Sequence, residues 1–410
     1  ICFSQIAAVT TERQETKMTE RIYVDNAATT KVAPEVLEAM LPYFTQDYGN
    51  PSSIYAEGRK AKSAIEHARE QVAAAIGADP KEIYFTGSGS EADNWAIRST
   101  ARALKSKGNH IITSAVEHHA VLHTCKDLES QGYEVTYLPV DKYGMVSPDD
   151  VKSAIKDTTV LISIMLANNE IGTIMPIAEI GEIAKAAGIV FHTDAVQAIG
   201  NIPVDVNAMN VDMLSLTGHK FHGPKGSGAL YVRNGVKLMS FITGGAQERM
   251  RRAGTENVPG IVGLGKAIEL ATANIPEKQK KLTALRDAYI KKVLETIPYS
   301  HLNGHPTKRL PGNANISFEF IEGEGMLLCL DMKGISASSG SACTSGSLDP
   351  SHVLLAIGLK HEEAHGSLRV SFGEDNTADD VNYIADSLKE IVERLRMMSP
   401  LYEEAQKNRD

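Results

Sequence analysis

No stretch of this chain is apolar for the roughly 20 residues that a bilayer-spanning helix needs, so a membrane-spanning role is not expected. Positive charge is not in surplus either. The formal net charge is −9 at pH 7, which argues against direct nucleic-acid binding, because that favours a basic face. Cysteine is scarce. Cys2, Cys125, Cys329 and Cys343 form no CxxC pair and have no zinc-ligand spacing, a usage that reads as free thiols in a reducing cytoplasm. The 33 glycines follow no repeat period, which points to many tight turns and away from low complexity.

What is present is a chain of 410 residues, long enough to bury a large core and to divide into two domains. Residues 1–17 read as an upstream segment without order, because they have neither the basic start nor the apolar core of a signal peptide. From Glu35 to Val232, strand-like runs alternate with amphipathic stretches. The expected strands are 82–86, 110–114, 134–139, 159–166, 189–194, 212–218 and 228–232. The stretches 91–108, 120–132 and 177–188 have helical period and end in glycine. Such alternation indicates an α/β fold with a mainly parallel seven-stranded sheet between helices. Past residue 262 the pattern changes to long helices (263–273, 277–296), two strands (313–320, 367–373) and a last helix (377–398). We therefore expect a large domain over 34–262, and a smaller α+β domain built from 18–33 and 263–410.

Two short segments carry the most chemistry. HTDAVQ ends an apolar run with Asp194 and reaches Gln197 three residues later, and GHKFHGPKG sets Lys220 just past another apolar run. A carboxylate for a ring nitrogen and an amine for an aldehyde are what pyridoxal phosphate takes from a protein. Taken singly, Asp194 reads as the cap of a helix starting at Ala195, and Lys220 as a solvated loop lysine. Their joint position beyond consecutive strand ends, where such sheets bind ligands, favours the cofactor. GSGSEADN (87–94) follows a strand and opens a helix, so backbone amides near Gly89 and the Ser90 hydroxyl are a phosphate site; it also reads as an ordinary turn with an N-cap.

EHHAVLH places His119 and His123 four apart, but lacks a third ligand and a metalloprotease glutamate, so no intrinsic metal is expected. His118, at a strand–helix junction, suits a ring stacked on the cofactor. Arg369 alternates with Leu368, Val370 and Phe372 along a strand and is a candidate fork for a carboxylate. Asn169 falls at the same sheet edge as Asp194. Cys125 and Cys329 lie in apolar stretches and read as buried spectators. Cys343 differs, because SSGSACTSGS (338–347) is a Ser/Gly loop in which a thiol is exposed. An unperturbed thiol has a pKa of about 8.5, so a used thiolate needs help from its surroundings.

Taken with YVDNAATT (23–30), NPSSIYAEGR (50–59), NNEIGT (168–173), GGAQERMRRAGTENVPG (244–260) and SSGSACTSGSLDPSHVLLAIGL (338–359), these motifs resemble the NifS/IscS-type cysteine desulfurases. Those belong to the class V aminotransferase group of fold-type I pyridoxal-phosphate enzymes. The tail ends EEAQKNRD, without the extension by which IscS proteins engage their scaffold, which makes the NifS-like branch the better match. The resemblance implies that Lys220 holds the cofactor, Asp194 pairs with its ring nitrogen, Gln197 bonds the ring oxygen and His118 stacks on the ring. Gly89, Ser90, Thr217 and His219 would hold the phosphate, with Thr255 supplied by the second subunit of a homodimer. Asn169 and Arg369 would hold the substrate carboxylate. Cys343 would take sulfur from L-cysteine as a persulfide, releasing alanine, with His118 carrying protons. An iron–sulfur scaffold or another acceptor would then receive the sulfur, and Cys343 would transiently share a cluster with it. A selenocysteine lyase or class V transaminase keeps the cofactor and changes the reaction. A non-catalytic assembly scaffold would have no use for Lys220, Asp194 and Cys343 together.

Overall fold

The protein is described from a computed structural model that covers residues 21–339 and 350–407. The segment 1–17, Cys2 and Cys343 lie outside the described residues. All seven expected strands form one sheet. They are β2 (Ile83–Thr86), β3 (His110–Ser114), β4 (Glu134–Leu138), β5 (Thr159–Ser163), β6 (Val190–Asp194), β7 (Met213–Thr217) and β8 (Gly228–Val232), after a short β1 (Ile22–Tyr23) that belongs elsewhere. Their order is β2-β8-β7-β6-β5-β3-β4. Only β8 runs against its neighbours, antiparallel to both β2 and β7. The other six therefore end at one edge.

Successive side chains of a strand face opposite sides of the sheet, and here both sides are core. Ile111, Leu161, Met213 and Leu230 pack with Trp95, Ile97, Cys125 and Leu128 of the helices Gly89–Ala103 and His119–Ser130. Ile112, Ile162, Phe191 and Leu214 face the other way, onto Ile65, Val72, Ile180 and Leu264. Those four come from the helices Ala56–Ile76, Ile177–Ala187 and Val258–Ala273. Burial on both faces is why these strands read as continuous apolar runs. The helix Ile177–Ala187 stops at Gly188, whose φ of 64° suits a residue without a Cβ.

A second sheet, order β12-β10-β9, is antiparallel and uses β9 (Ser300–Asn303), β10 (Asn313–Phe318) and β12 (Ser367–Ser371). Its core of Ala314, Ile316, Phe318, Leu368 and Val370 is covered by the helices Ile275–Thr296, Gly323–Met332 and Ala378–Met397. The chain's first described segment joins it. β1 pairs parallel with β11 (Ile335–Ser336), and the Ser371 amide donates to the Val24 carbonyl at 2.7 Å.

Three expectations need correction. No helix starts at Ala195; residues 195–200 form turns, and the Asp194 carboxylate accepts from the Val196 amide at 2.9 Å. Cys329 is half-buried, not buried, because its helix lies on the surface with Leu328 and Met332 exposed to solvent. The helix Ala56–Ile76 was not expected; half of its buried face is Gly58, Ala61, Ala68 and Ala73, and Arg69 is buried with them, which lowers the hydrophobic contrast.

Candidate active site

Five of the six strands that end at the common edge deliver a candidate residue at or just beyond it; β4 does not. β2 leads to Gly89, β3 to His118, β5 to Asn169, β6 ends in Asp194, and β7 runs through a 3-10 turn, Gly218–Lys220. This is the edge at which parallel sheets bind ligands.

Lys220 and Gln197 converge. The Lys220 Nζ donates to the Ala27 and Ala28 carbonyls at 2.7 Å each, and the Gln197 Nε2 donates to Ala27 at 2.9 Å. The turn Asp25–Thr30 is fastened over β7 by further bonds. The Thr30 amide and hydroxyl both donate to the His219 carbonyl, and the His219 Nδ1 lies 3.2 Å from the Thr29 hydroxyl. So the motif YVDNAATT packs directly on the lysine segment, although some 190 residues separate them.

Asp194, Asp93 and His118 form the polar centre. Their donor atoms lie within 4.8 Å of one another, and the two aspartates are 5% and 1% exposed. Two full negative charges at that distance would repel by about 3 kcal/mol or more at an effective dielectric of about 20. Burial accordingly pushes the Asp194 carboxyl up to about 6, against the opposing pull of the Val196 amide and the Lys220 charge. Asp93 is held well above the carboxylate range by burial and by Asp194. Burial, then the Lys220 charge, pushes His118 down to about 4, so its ring is neutral at pH 7. Its Nδ1 caps the helix His119–Ser130 by accepting from the Ala120 amide at 3.1 Å.

Gly89 opens its helix with no room for a side chain. A Cβ there would come within 2.7 Å of the Val196 Cγ2 and within 3.7 Å of Thr217. The Thr217 hydroxyl donates to the Ser227 carbonyl at 2.9 Å, while Ser90 is exposed on the first turn. The loop carrying Thr255 is tied to this turn through Arg252, whose Nε donates to Glu91 at 2.8 Å. Glu91 in turn accepts from the Gly87 amide at 2.8 Å. Thr255 itself is exposed.

Arg369 and Asn169 also meet. Arg369 is only 2% exposed; its guanidinium donates to the Asn169 carbonyl at 3.0 Å and to Asp25 at 2.9 Å. Among the described residues its Nε has no hydrogen-bond partner, so a donor remains at a buried position. Ser338, the penultimate described residue before the Cys343 segment, exchanges backbone bonds with Arg369 and donates to Asp25 at 2.7 Å. Beyond that segment, Ser351 donates to Glu170 at 2.5 Å and the His352 ring lies 3.0 Å from the Glu117 carbonyl.

Sequence reasoning missed Asp25, Asp93, Glu117, Glu170 and His352. Asp93 was findable, one helical turn from Ser90. His352 brings a third imidazole to His119, with ring centroids 4.7 Å apart and His123 a further 5.0 Å from His119.

The profile of the aminotransferase class-V family matches residues 22–384. The chain belongs to that family. Among similar proteins, a cysteine desulfurase IscS of Methanosarcina thermophila is 64% identical over 380 residues, covering 93% of this chain and 94% of that protein. A cysteine desulfurase IscS of Clostridium botulinum is 58% identical over 395 residues, 96% of this chain and all of its own length. A solved NifS-like protein superposes with a TM-score of 0.86 at 38% identity, over 92% of this chain and 100% of that one. The residues present fit the family's cofactor, pyridoxal phosphate. A glycine-opened helix N-terminus stands ready for an anion, and a buried carboxylate lies within reach of the charge of Lys220.

Proposed function

We propose that the chain is a pyridoxal-phosphate-dependent cysteine desulfurase that moves the sulfur of L-cysteine to its own Cys343. The observation that carries this reading is the convergence of Lys220, Gln197, Asp194 and His118 at one sheet edge, in a chain 64% identical to a cysteine desulfurase. Bound in this site, pyridoxal phosphate supplies an aldehyde for the substrate amine and an electron-poor ring that withdraws charge from the substrate's α-carbon.

The chain's own residues do the rest. Lys220 Nζ would hold the cofactor and would also be the base that moves the α-proton. Asp194 keeps the ring nitrogen protonated, Gln197 bonds the ring oxygen, and the neutral His118 ring covers the face and carries protons. The helix N-terminus at Gly89 and Ser90, with Thr217 and His219, holds the phosphate. Arg369, its plane fixed by Asp25 and Asn169, offers its remaining donor to the substrate carboxylate. The Cys343 thiolate then attacks the substrate sulfur. The carbon–sulfur bond breaks and a sulfur–sulfur bond forms, so L-cysteine and the Cys343 thiol become L-alanine and a Cys343 persulfide.

Thr255, exposed in the single chain, completes the phosphate site of a second copy in a homodimer. The sulfur passes on to an iron–sulfur scaffold or another thiol acceptor in the cytoplasm. The free Cys125 and Cys329 fit that compartment, and among the described residues no helix is long and apolar enough to cross a membrane. The test is incubation with L-cysteine and a reductant, following sulfide and alanine together. Equal amounts of both support the reading, and pyruvate in place of alanine overturns it.

A further inference from the structure

Asp93 has no part in the reading above, yet it stands behind the carboxylate on which that reading depends. It lies on the buried face of the helix Gly89–Ala103, and among the described residues its Oδ1 has no hydrogen-bond partner. The groups that face it come from three elements. β6 presents Asp194 and His192, β7 presents Ser215, and the segment after β3 presents Glu117 and His118.

None of them is a fixed cation. The His192 Nε2 is 3.6 Å from Oδ1, but its two ring nitrogens are engaged by Ser163 and Ser215 hydroxyls at 2.9 Å each. Burial pushes that ring down to about 3, so it brings no positive charge. Glu117, itself buried, is pushed up to about 8. Two buried carboxylates this close, with no cation facing Asp93, do not both ionise. Asp194 has an amide and the charge of Lys220 to favour its ionised form, whereas Asp93 has the Ser215 hydroxyl.

We propose that Asp93 is a positioning residue, a neutral carboxylic acid whose proton keeps the single negative charge of the pair on Asp194, the carboxylate that faces the cofactor's ring nitrogen. This rests on the cofactor reading above. With its proton, Asp93 brings a donor to a group of ligand atoms that lie within 4.8 Å of one another; without it, the buried pair carries one negative charge too many.

The test compares Asp93→Asn and Asp93→Ala with wild type in the full chain, with and without added pyridoxal phosphate. Asparagine mimics the neutral acid, with one acceptor and one donor in the same shape. A carboxyl held protonated by the fold makes wild type lose stability as pH rises above the unfolded value of about 4. The melting temperature of Asp93→Asn is therefore expected to gain on wild type as pH rises above about 4. Asp93→Asn is expected to retain pyridoxal-phosphate affinity, while Asp93→Ala weakens it by about tenfold through the lost buried hydrogen bond. An Asn variant that loses ground to wild type as pH rises would show an ionised Asp93 and overturn the proposal. So would equal loss of affinity in both variants. If wild type itself takes up no pyridoxal phosphate, the cofactor reading fails, and the melting series still decides the charge of Asp93.

Discussion

Lys220 and Gln197 donate to the same carbonyl oxygen, that of Ala27, at 2.7 and 2.9 Å. An amine and an amide drawn to one point bring both side chains together at the turn Asp25–Thr30. The lysine is thus held at the sheet edge by backbone and is not a solvated loop residue. Borohydride treatment of the holoenzyme is expected to fix a pyridoxyl group on Lys220. Peptide mapping that finds the label on the exposed Lys225 would remove Lys220 from its role.

Asp25 orients Arg369 through a bond of 2.9 Å in a buried setting. Hydrogen bonds to charged groups contribute about 1.5–3 kcal/mol. Asp25→Asn should accordingly raise the KM for L-cysteine by about tenfold to a hundredfold, with a smaller change in kcat. Steady-state kinetics showing a loss of kcat at unchanged KM would place Asp25 outside substrate binding.

Gly89 leaves no space for a methyl group, since a Cβ would approach the Val196 Cγ2 at 2.7 Å. Overpacking at such a contact costs about 1–3 kcal/mol. Gly89→Ala is therefore expected to weaken pyridoxal-phosphate binding by about tenfold or more, measured by equilibrium titration of the cofactor's visible absorbance. Unchanged affinity would mean that the phosphate lies elsewhere.

Glu117 accepts from the Ser114 hydroxyl at 2.6 Å and the Met165 amide at 3.0 Å, while its Oε2 has no hydrogen-bond partner among the described residues. Burial pushes its carboxyl up to about 8. The folded chain holds this proton over a range where the unfolded chain has released it, so wild type loses stability from about pH 4.5 up to about pH 8. Glu117→Gln removes that loss. Its melting temperature should rise relative to wild type across the window and level off above it. A pH-independent difference would show that Glu117 does not hold its proton in the fold.

Most of the seven strands were legible because β3, β5, β7 and β8 are buried on both faces and read as apolar runs bounded by turns, while the half-exposed edge strand β4 was legible by its β-branched and aromatic residues. Asp194 and Lys220 were legible as polar residues closing such runs. The helix Ala56–Ile76 was hidden because its contact face mixes Ile65, Val72 and Ile76 with small residues and a buried Arg69. Asp25, Asp93, Glu117 and Glu170 were hidden for another reason. An acidic residue on a mixed segment reads as solvated, and only tertiary packing reveals that these carboxylates are shielded and matched to Arg369, Ser215, Ser114 and Ser351. Arg369 shows the same effect. Its place opposite Leu368 and Val370 reads as a solvent face, whereas the turn at Asp25 covers it.

The most direct measurement of the central claim is a single turnover with L-cysteine and no reductant, on wild type and on Cys343→Ser. Wild type is expected to release one alanine per chain and to carry one extra sulfur atom on the peptide 338–347, seen by mass spectrometry. Cys343→Ser is expected to bind cofactor and L-cysteine normally and to form neither product, because a neutral hydroxyl is a far poorer nucleophile towards sulfur than a thiolate. Alanine and sulfide released by Cys343→Ser at the wild-type rate would contradict the account, and the sulfur would leave L-cysteine by direct elimination.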